Sequence, residues 1–156
     1  MITNAEIKKI QSEARNLATT INPNELLREM AKDKHNYIED KTNADIFNEI
    51  YQSVMEEYGE NASKIIKRLV GYRHVDELDA LHIGQFTRWI QKYQDNIKLS
   101  NGGFLVNVIF TDEGVNLAIK MWNGVIMQIR FDECLIYQKL SFGEQIILMA
   151  SDHVNG

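Results

Sequence analysis

The chain has 156 residues with 44% hydrophobic and 25% charged side chains and a formal net charge of −5. These values are ordinary for one water-soluble globular protein, and the acidic balance argues against broad, non-specific nucleic-acid binding. The single cysteine, Cys134, suits a reducing compartment, no apolar run approaches the roughly 18 residues that cross a bilayer, and no secretory signal opens the chain, so we predict a cytoplasmic protein without membrane contact.

Two helices are predicted before residue 32. Thr3 and Glu6 have the spacing of a capping box, in which two side chains satisfy free amides at a helix start. The apolar residues that follow recur every three or four positions and form a narrow seam suited to one neighbouring helix or to a partner: Ile7, Ile10, Ala14, Leu17 and Ile21. Asn22-Pro23 marks the second helix, because Asn caps helices and Pro is tolerated at their first position.

Further helical segments are predicted up to residue 84. One runs from Asn43 to Tyr58, where Gly59 is placed to end it. Its expected apolar side consists of Phe47, Ile50, Tyr51, Val54 and Tyr58. A short helix capped by Asn61 follows, and a last helical turn or two is predicted over residues 75–81. The next segment, 85–93, fits one helical face, but its aromatic and β-branched residues favour a strand, which we predict.

From Gly103 onward the apolar residues recur at every second position, which is the spacing of one face of a β-sheet. Three strands are predicted, separated by a turn at 112–114 and by Asn123-Gly124, whose two residues accept the positive φ of a type I′ turn. One face of this unit is apolar throughout and must be covered. A further strand is predicted at 135–137. Ser141 and Glu144 are spaced to cap a final helix, although 145–150 also fits a strand.

This order of elements predicts an α+β protein with a helical region, 1–84, followed by a small antiparallel β-domain, 85–156. The two parts are expected to pack together as one compact unit. Four or five short antiparallel strands with one apolar face are expected to form a strongly bent sheet or an SH3-like barrel.

The search for catalytic, cofactor and metal sites gives no candidate. Gly102-Gly103 precedes a strand, so no helix start is presented to a phosphate. The four histidines are scattered, whereas a metal site needs clustered ligands. Cys134 has no basic neighbour in sequence that would lower its pKa, and a buried small hydrophobic role is favoured for it.

A local basic patch is the one electrostatic candidate. Lys64, Lys67 and Arg68 share one helix face and suit phosphates or an acidic partner. Arg73 and Arg88 extend the patch, and Trp89 and Tyr93 have rings that suit stacking on bases. A solvated helix flank with core aromatic residues explains the same side chains and is favoured.

Residues 78–140 resemble uncharacterised small-barrel proteins of large DNA viruses and phages. The resemblance rests on the run from Asp79 to Ile90, on Gly102-Gly103-Phe104-Leu105, and on the segment 122–139. It implies a small barrel and a viral origin, with the host cytoplasm or the viral particle as the location. It implies no activity.

We therefore predict a non-enzymatic protein that acts through protein contacts or self-association in a structural or regulatory role. Its unpaired strand edges and its acidic balance favour this hypothesis. The alternative is a nucleic-acid-binding small barrel that uses the basic patch. A hydrolase or transferase whose site is assembled from distant residues is a third hypothesis.

Overall fold

A computed structural model of the protein describes residues 4–5, which are helical, and residues 37–155. The predicted helices before residue 37 otherwise lie outside the described residues. Three α-helices are described within residues 37–155: α1, Asn43–Tyr58; α2, Ser63–Arg68; and α3, Phe142–Asn155. Six β-strands are described: β1, Tyr72–Val75; β2, Phe86–Gln91; β3, Gly103–Thr111; β4, Gly114–Lys120; β5, Ile126–Arg130; and β6, Cys134–Lys139.

The six strands form one antiparallel sheet in the order β1-β6-β2-β3-β4-β5. The α+β class is therefore confirmed. The barrel alternative is wrong, because β1 and β5 lie at opposite edges and do not pair. Helices and connections already bury the apolar side chains near β1, β6 and β2, so closure is not needed to cover them.

Helix α1 begins and ends as predicted because both of its ends are fixed by local chemistry. Thr42 and Asp45 form a reciprocal capping box at the start, and Gly59 ends the helix with a φ of 64°. Its buried side, however, is rotated from the expected one and carries Ile46, Ile50, Ser53 and Val54. Phe47 and Tyr51 are each 45% exposed, so two expected core residues lie at the surface.

The segment after α1 differs from the sequence-based expectation. Helix α2 begins at Ser63 behind a 3-10 turn, and Asn61 is not its N-cap. Strand β1 lies within the region predicted to be helical, since Tyr72–Val75 pairs along its whole length with β6. Only the 3-10 turn Leu78–Ala80 remains of the helical turns predicted over 75–81. The sheet thus begins before the expected boundary at residues 84 and 85.

The predicted strand 85–93 is confirmed as β2, and the ambiguous segment 145–150 is helical within α3. Asn123-Gly124 lies in the β4–β5 turn as predicted, but the turn is not type I′. Gly124 N–H donates to Met121 C=O at 2.9 Å, and Met121 N–H donates to Val125 C=O at 2.9 Å. Asn123 does not have positive φ, whereas Gly124 does, so this is a three-residue loop that ends in a left-handed glycine.

The two faces of the sheet belong to different cores. On one face, Ile90, Leu135 and Tyr137 pack against α1 and α2. The opposite face has a core of strand residues and one residue of the β1–β2 connection, Ala80: Val75, Ala80, Trp89, Leu105, Leu117, Ile119, Ile129, Cys134 and Ile136. A third cluster joins α3 to the start of α1.

The expectation that one face of β3, β4 and β5 is apolar and covered throughout is wrong. A register shift between Leu105 and Asn107 breaks the alternation of β3, so that Leu105 is buried whereas Phe104 is 53% exposed. Apolar residues of the β4–β5 turn are also exposed.

Candidate interaction surface

Strand β5 is a free edge of the sheet within the described part of the chain. Met121 and Val125 are joined by a backbone hydrogen bond, and the register places Ile126 opposite Lys120. Because hydrogen-bonded and non-bonded pairs alternate between antiparallel strands, the N–H and C=O groups of Ile126, Gln128 and Arg130 point away from β4. This edge presents backbone groups that another strand can use.

Large apolar side chains lie beside this edge. Trp122 is 90% exposed, Ile126 59%, Val125 57% and Met127 45%. We call these four residues together with the outer edge of β5 the hairpin surface. Proteins normally protect strand edges with charge, proline or a cover, so an edge flanked by exposed apolar residues is typical of an interface.

The β4–β5 turn places Trp122 in solvent. The loop has three residues, of which Gly124 takes the left-handed conformation, and Asn123 Oδ1 accepts a hydrogen bond from Val125 N–H at 3.1 Å. A cavity of about 330 Å³ lies next to the hairpin, lined in part by Met121 and Met127. Trp122 was not among the candidate residues, although a tryptophan inside a tight turn has no strand position from which to reach a core.

The predicted basic residues are divided by the fold. Lys64, Lys67 and Arg68 are exposed on α2, and Arg88 reaches them from β2, where its Nη1 donates to Arg68 C=O at 3.5 Å. Tyr93 is 87% exposed in the connection after β2.

Arg73 and Trp89 are not at the surface. Trp89 is 7% exposed and belongs to the strand core, and Arg73 is 1% exposed. The register explains the separation of the two arginines. Arg73 and Thr87 both pair with Gln138, so Arg88, the residue after Thr87, lies on the opposite face of the sheet from Arg73.

Arg73 forms a buried ion pair with Glu144 of α3. Its Nε lies 2.5 Å from Glu144 Oε2, its Nη2 donates to Gln138 Oε1 at 3.0 Å, and its Cζ lies 4.4 Å above the Tyr37 ring centroid. Glu144 also completes the capping box of α3, because it accepts from Ser141 N–H at 2.9 Å. One carboxylate therefore joins the sheet to the start of the last helix.

The surroundings of Glu144 favour its charged form. Burial alone would raise the pKa of the Glu144 carboxyl, but Arg73 and the hydroxyl of Tyr37, which donates to Glu144, hold the pKa below its usual value. Burial raises the pKa of Tyr37 well above its usual range, so this hydroxyl remains a donor. A carboxyl that acts as a general acid needs its pKa moved upward, so this arrangement is typical of a structural ion pair.

A polar cavity of about 280 Å³ lies beside the ion pair, lined in part by Tyr37, Lys41, Glu49, Arg73, His74 and Asp76. Lys41 and Glu49 neutralise each other there at 2.5 Å. Burial lowers the pKa of His74, and although Asp76 opposes this effect, the shift remains downward. The cavity thus combines a histidine that resists protonation, the Lys41–Glu49 pair and two further acidic residues, Asp76 and Glu77.

The stability of the protein is expected to fall as pH decreases below about 6.5, because unfolded His74 binds a proton that folded His74 resists. The stability contributed by neutral His74 is fully present above the pKa of His74 in the unfolded chain. It is lost as pH falls through the lower pKa of His74 in the folded protein. Urea unfolding at several pH values, compared between the wild type and His74→Gln, measures it. A variant with the same pH slope as the wild type between pH 6.5 and 5 would contradict this assignment.

Within residues 4–5 and 37–155, no group of three histidine, cysteine, aspartate or glutamate side chains is placed to hold a metal ion. No helix among the described residues is long and apolar enough to cross a membrane.

Comparison with known proteins gives no match: no family model, no curated protein and no solved structure is similar to this chain. The small-barrel resemblance and the viral or phage origin that it implies therefore stay predictions. The free edge of β5 and the exposed apolar residues of its turn are the structural features on which a proposal of protein contacts rests.

Proposed function

We propose that the protein acts through protein contacts, in a structural or regulatory role and without catalysing a reaction, and that it associates with a second copy of itself through the hairpin surface. The observation that carries this proposal is the pairing of a free strand edge with Trp122, which is 90% exposed. Tryptophan is among the residues that most often dominate interface energy.

A symmetric dimer fits the chemistry of β5. An antiparallel pair centred on Gln128 brings Ile126 of one protomer opposite Arg130 of the other, and all three residues direct free backbone groups outward. The same register brings Val125 opposite Phe131. No two like charges lie directly opposite, and a two-fold arrangement of identical patches is the commonest form of self-association.

The test is the mass in solution of the wild type and of Gln128→Pro. Proline at position 128 removes the outward N–H, and its ring blocks pairing at the free edge. It removes no hydrogen bond to β4, and proline is tolerated on edge strands. We expect a dimer for the wild type and a monomer for the variant by size-exclusion chromatography with light scattering.

A matched control separates the hairpin surface from other exposed apolar residues. Ile126 on β5 is 59% exposed and Ile146 on α3 is 49% exposed. We expect Ile126→Gln to weaken the dimer and Ile146→Gln to leave it intact. A monomeric wild type at every concentration, or a dimer dissociated by Ile146→Gln alone, would overturn the proposal.

A cytoplasmic location is part of this proposal. Cys134 is buried, and burial raises the pKa of its thiol to about 11, so the thiol stays protonated and does not react readily. This supports a role for Cys134 in packing, as expected for a protein that needs no disulfide.

A further inference from the structure

A row of aromatic and cationic side chains crosses the sheet on the face that α1 and α2 cover only in part. The register pairs Tyr72 with Lys139, Phe86 with Phe104, and Phe104 with Lys120. Because Thr87 pairs with Gln138, the same register places Phe86 beside Lys139. We call the five residues the aromatic row: Tyr72, Lys139, Phe86, Phe104 and Lys120.

The rings of the row are accessible. Phe104 is 53% exposed, and Tyr72 and Phe86 are half-buried. The ring centroids of Phe86 and Phe104 lie 5.4 Å apart in an edge-to-face arrangement. Tyr72 lies two strands away from Phe86, which is about 10 Å at the usual strand spacing. Aromatic rings on neighbouring strands of an open sheet are a common platform for stacking bases.

Two cationic side chains lie near Tyr72. Lys139 is exposed and pairs with Tyr72 across the strands, and Arg88 Cζ lies 6.0 Å from the Tyr72 ring centroid. Arg88 Nε donates to Ser100 C=O at 2.9 Å and its Nη1 donates to Arg68 C=O, which fixes the guanidinium beside the ring. Arginine has five N–H donors, so donors remain for a phosphate.

Two adjoining cavities run along the row. One of about 330 Å³ is lined in part by Phe86 and Phe104, the other of about 390 Å³ by Phe47 and Val70, and both include Tyr72 and Lys139. No described residue that lines either cavity is acidic, although the whole chain has a net charge of −5. The local charge is therefore opposite to that of the protein.

We propose that this face binds single-stranded nucleic acid, with bases stacked on Tyr72, Phe86 and Phe104 and phosphates held by Lys139 and Arg88. Single-stranded nucleic acid is the partner class that combines flat apolar rings with closely spaced negative charge. Charge complementarity favours single-stranded nucleic acid over an apolar protein segment, because an apolar segment has no negative charge to pair with the cations of the aromatic row. The site goes beyond the protein contacts proposed above and lies outside the hairpin surface.

The assignment also corrects the origin of the predicted nucleic-acid site. Of the predicted patch, only Arg88 lies beside the aromatic row. Arg68 takes part through its backbone carbonyl, which accepts a hydrogen bond from Arg88. The stacking residues differ from the predicted Trp89 and Tyr93, because Trp89 is buried on the other face and Tyr93 lies in the connection after β2.

The test is fluorescence anisotropy with labelled oligothymidine and oligouridine at low salt, titrated with the full chain. We expect the wild type to bind these oligonucleotides. The variants Lys139→Glu and Phe104→Ala are each expected to bind about tenfold more weakly than the wild type, since removing one stacking ring typically weakens binding by about that much or more. With the two cations Lys139 and Arg88 engaged, the logarithm of the binding constant is expected to fall with the logarithm of salt with a slope of about −1.4.

Matched controls are available in the chain. Lys98→Glu makes the same charge change at an exposed site outside the row, and Tyr93→Ala removes an exposed ring elsewhere. We expect both variants to bind within about twofold of the wild type. Circular dichroism of each variant establishes that the fold is kept.

Absence of binding to both probes at low salt would overturn the proposal. So would equal losses in Lys139→Glu and Lys98→Glu, which would indicate a non-specific charge effect. The self-association experiment has a separate readout, because neither Phe104 nor Lys139 belongs to the hairpin surface, so each proposal can fail without the other.

Discussion

Replacing Arg73 with Met is expected to lower the free energy of unfolding by about 3 to 5 kcal/mol, because the change leaves Glu144 as an uncompensated buried carboxylate. A small domain is stable by only about 5 to 15 kcal/mol, so this loss threatens folding at ambient temperature. Urea unfolding followed by circular dichroism gives the value.

A double-mutant cycle separates the ion pair from its surroundings. Glu144→Leu alone is expected to be costly, whereas Arg73→Met combined with Glu144→Leu is expected to recover much of the stability, because apolar residues often replace a buried pair at little cost. Ser141→Ala removes the other half of the capping box and measures that contribution, about 1 kcal/mol. Additive losses in the cycle would contradict direct coupling of Arg73 to Glu144.

The loss caused by Arg73→Met is expected to shrink in acid. The folded pKa of Glu144 lies below its unfolded value, so its contribution is complete above about pH 4.3 and is lost as pH falls through the folded pKa. Below that window the wild type loses the same interaction that the variant lacks. A difference between the two proteins that stays constant down to pH 2 would exclude this ion pair as the cause.

Gly103→Ala is the substitution with the second largest expected effect. A Cβ at Gly103 would lie 2.5 Å from the carbonyl oxygen of Lys120 and 2.7 Å from Ile119 Cγ2. The nearer atom is backbone of the paired strand β4, so β3 must move or the register must change. Forcing atoms into a packed site typically costs about 1 to 3 kcal/mol of stability. Because Gly103 lies between the paired strands β2 and β4, we expect a cost at the upper end of this range.

Gly84→Ala is the matched control. A Cβ there meets nothing within 4 Å, and only the left-handed backbone, with a φ of +93°, opposes the change. That strain costs about 1 to 2 kcal/mol. We expect the urea midpoint to fall further for Gly103→Ala than for Gly84→Ala. The reverse order would contradict the close approach of β3 to β4.

The elements that the sequence predicted correctly are those specified by residues close together in the chain. Thr42, Asp45 and Gly59 cap α1, and the place of the β4–β5 turn follows from Asn123-Gly124. The type of that turn was wrong because Trp122 belongs to the loop rather than to a strand, which lengthens the loop by one residue.

Strand β1 was missed because its stability comes from β6, its only partner among the described strands and one far along the sequence. The strand has only four residues, Tyr72–Val75. Two of them have a charged or polar side chain, and the sequence shows no clear alternation of apolar and polar residues. The burial of Arg73 has the same origin, since Gln138 and Glu144 are distant in sequence and meet it only in the folded sheet.

The candidate site was only partly predictable. Basic residues were grouped by their nearness in sequence, but strand alternation sends Arg73 and Arg88 to opposite faces. The aromatic row depends on the register of four strand pairs, which no local pattern specifies. Trp122 adjoins Asn123-Gly124 in the sequence, but the predicted two-residue turn left it outside the loop, so its exposure was not predicted.

Amide hydrogen exchange along β5 at increasing protein concentration tests the proposed interface most directly. Met127 and Ile129 direct their backbone groups toward β4 and serve as internal references, whereas the amides of Ile126, Gln128 and Arg130 point outward. If two protomers join their sheets at this edge, the three outward amides exchange slowly in concentrated protein and rapidly in dilute protein. Rapid exchange of all three at every concentration would show that nothing pairs with β5 and would contradict the account.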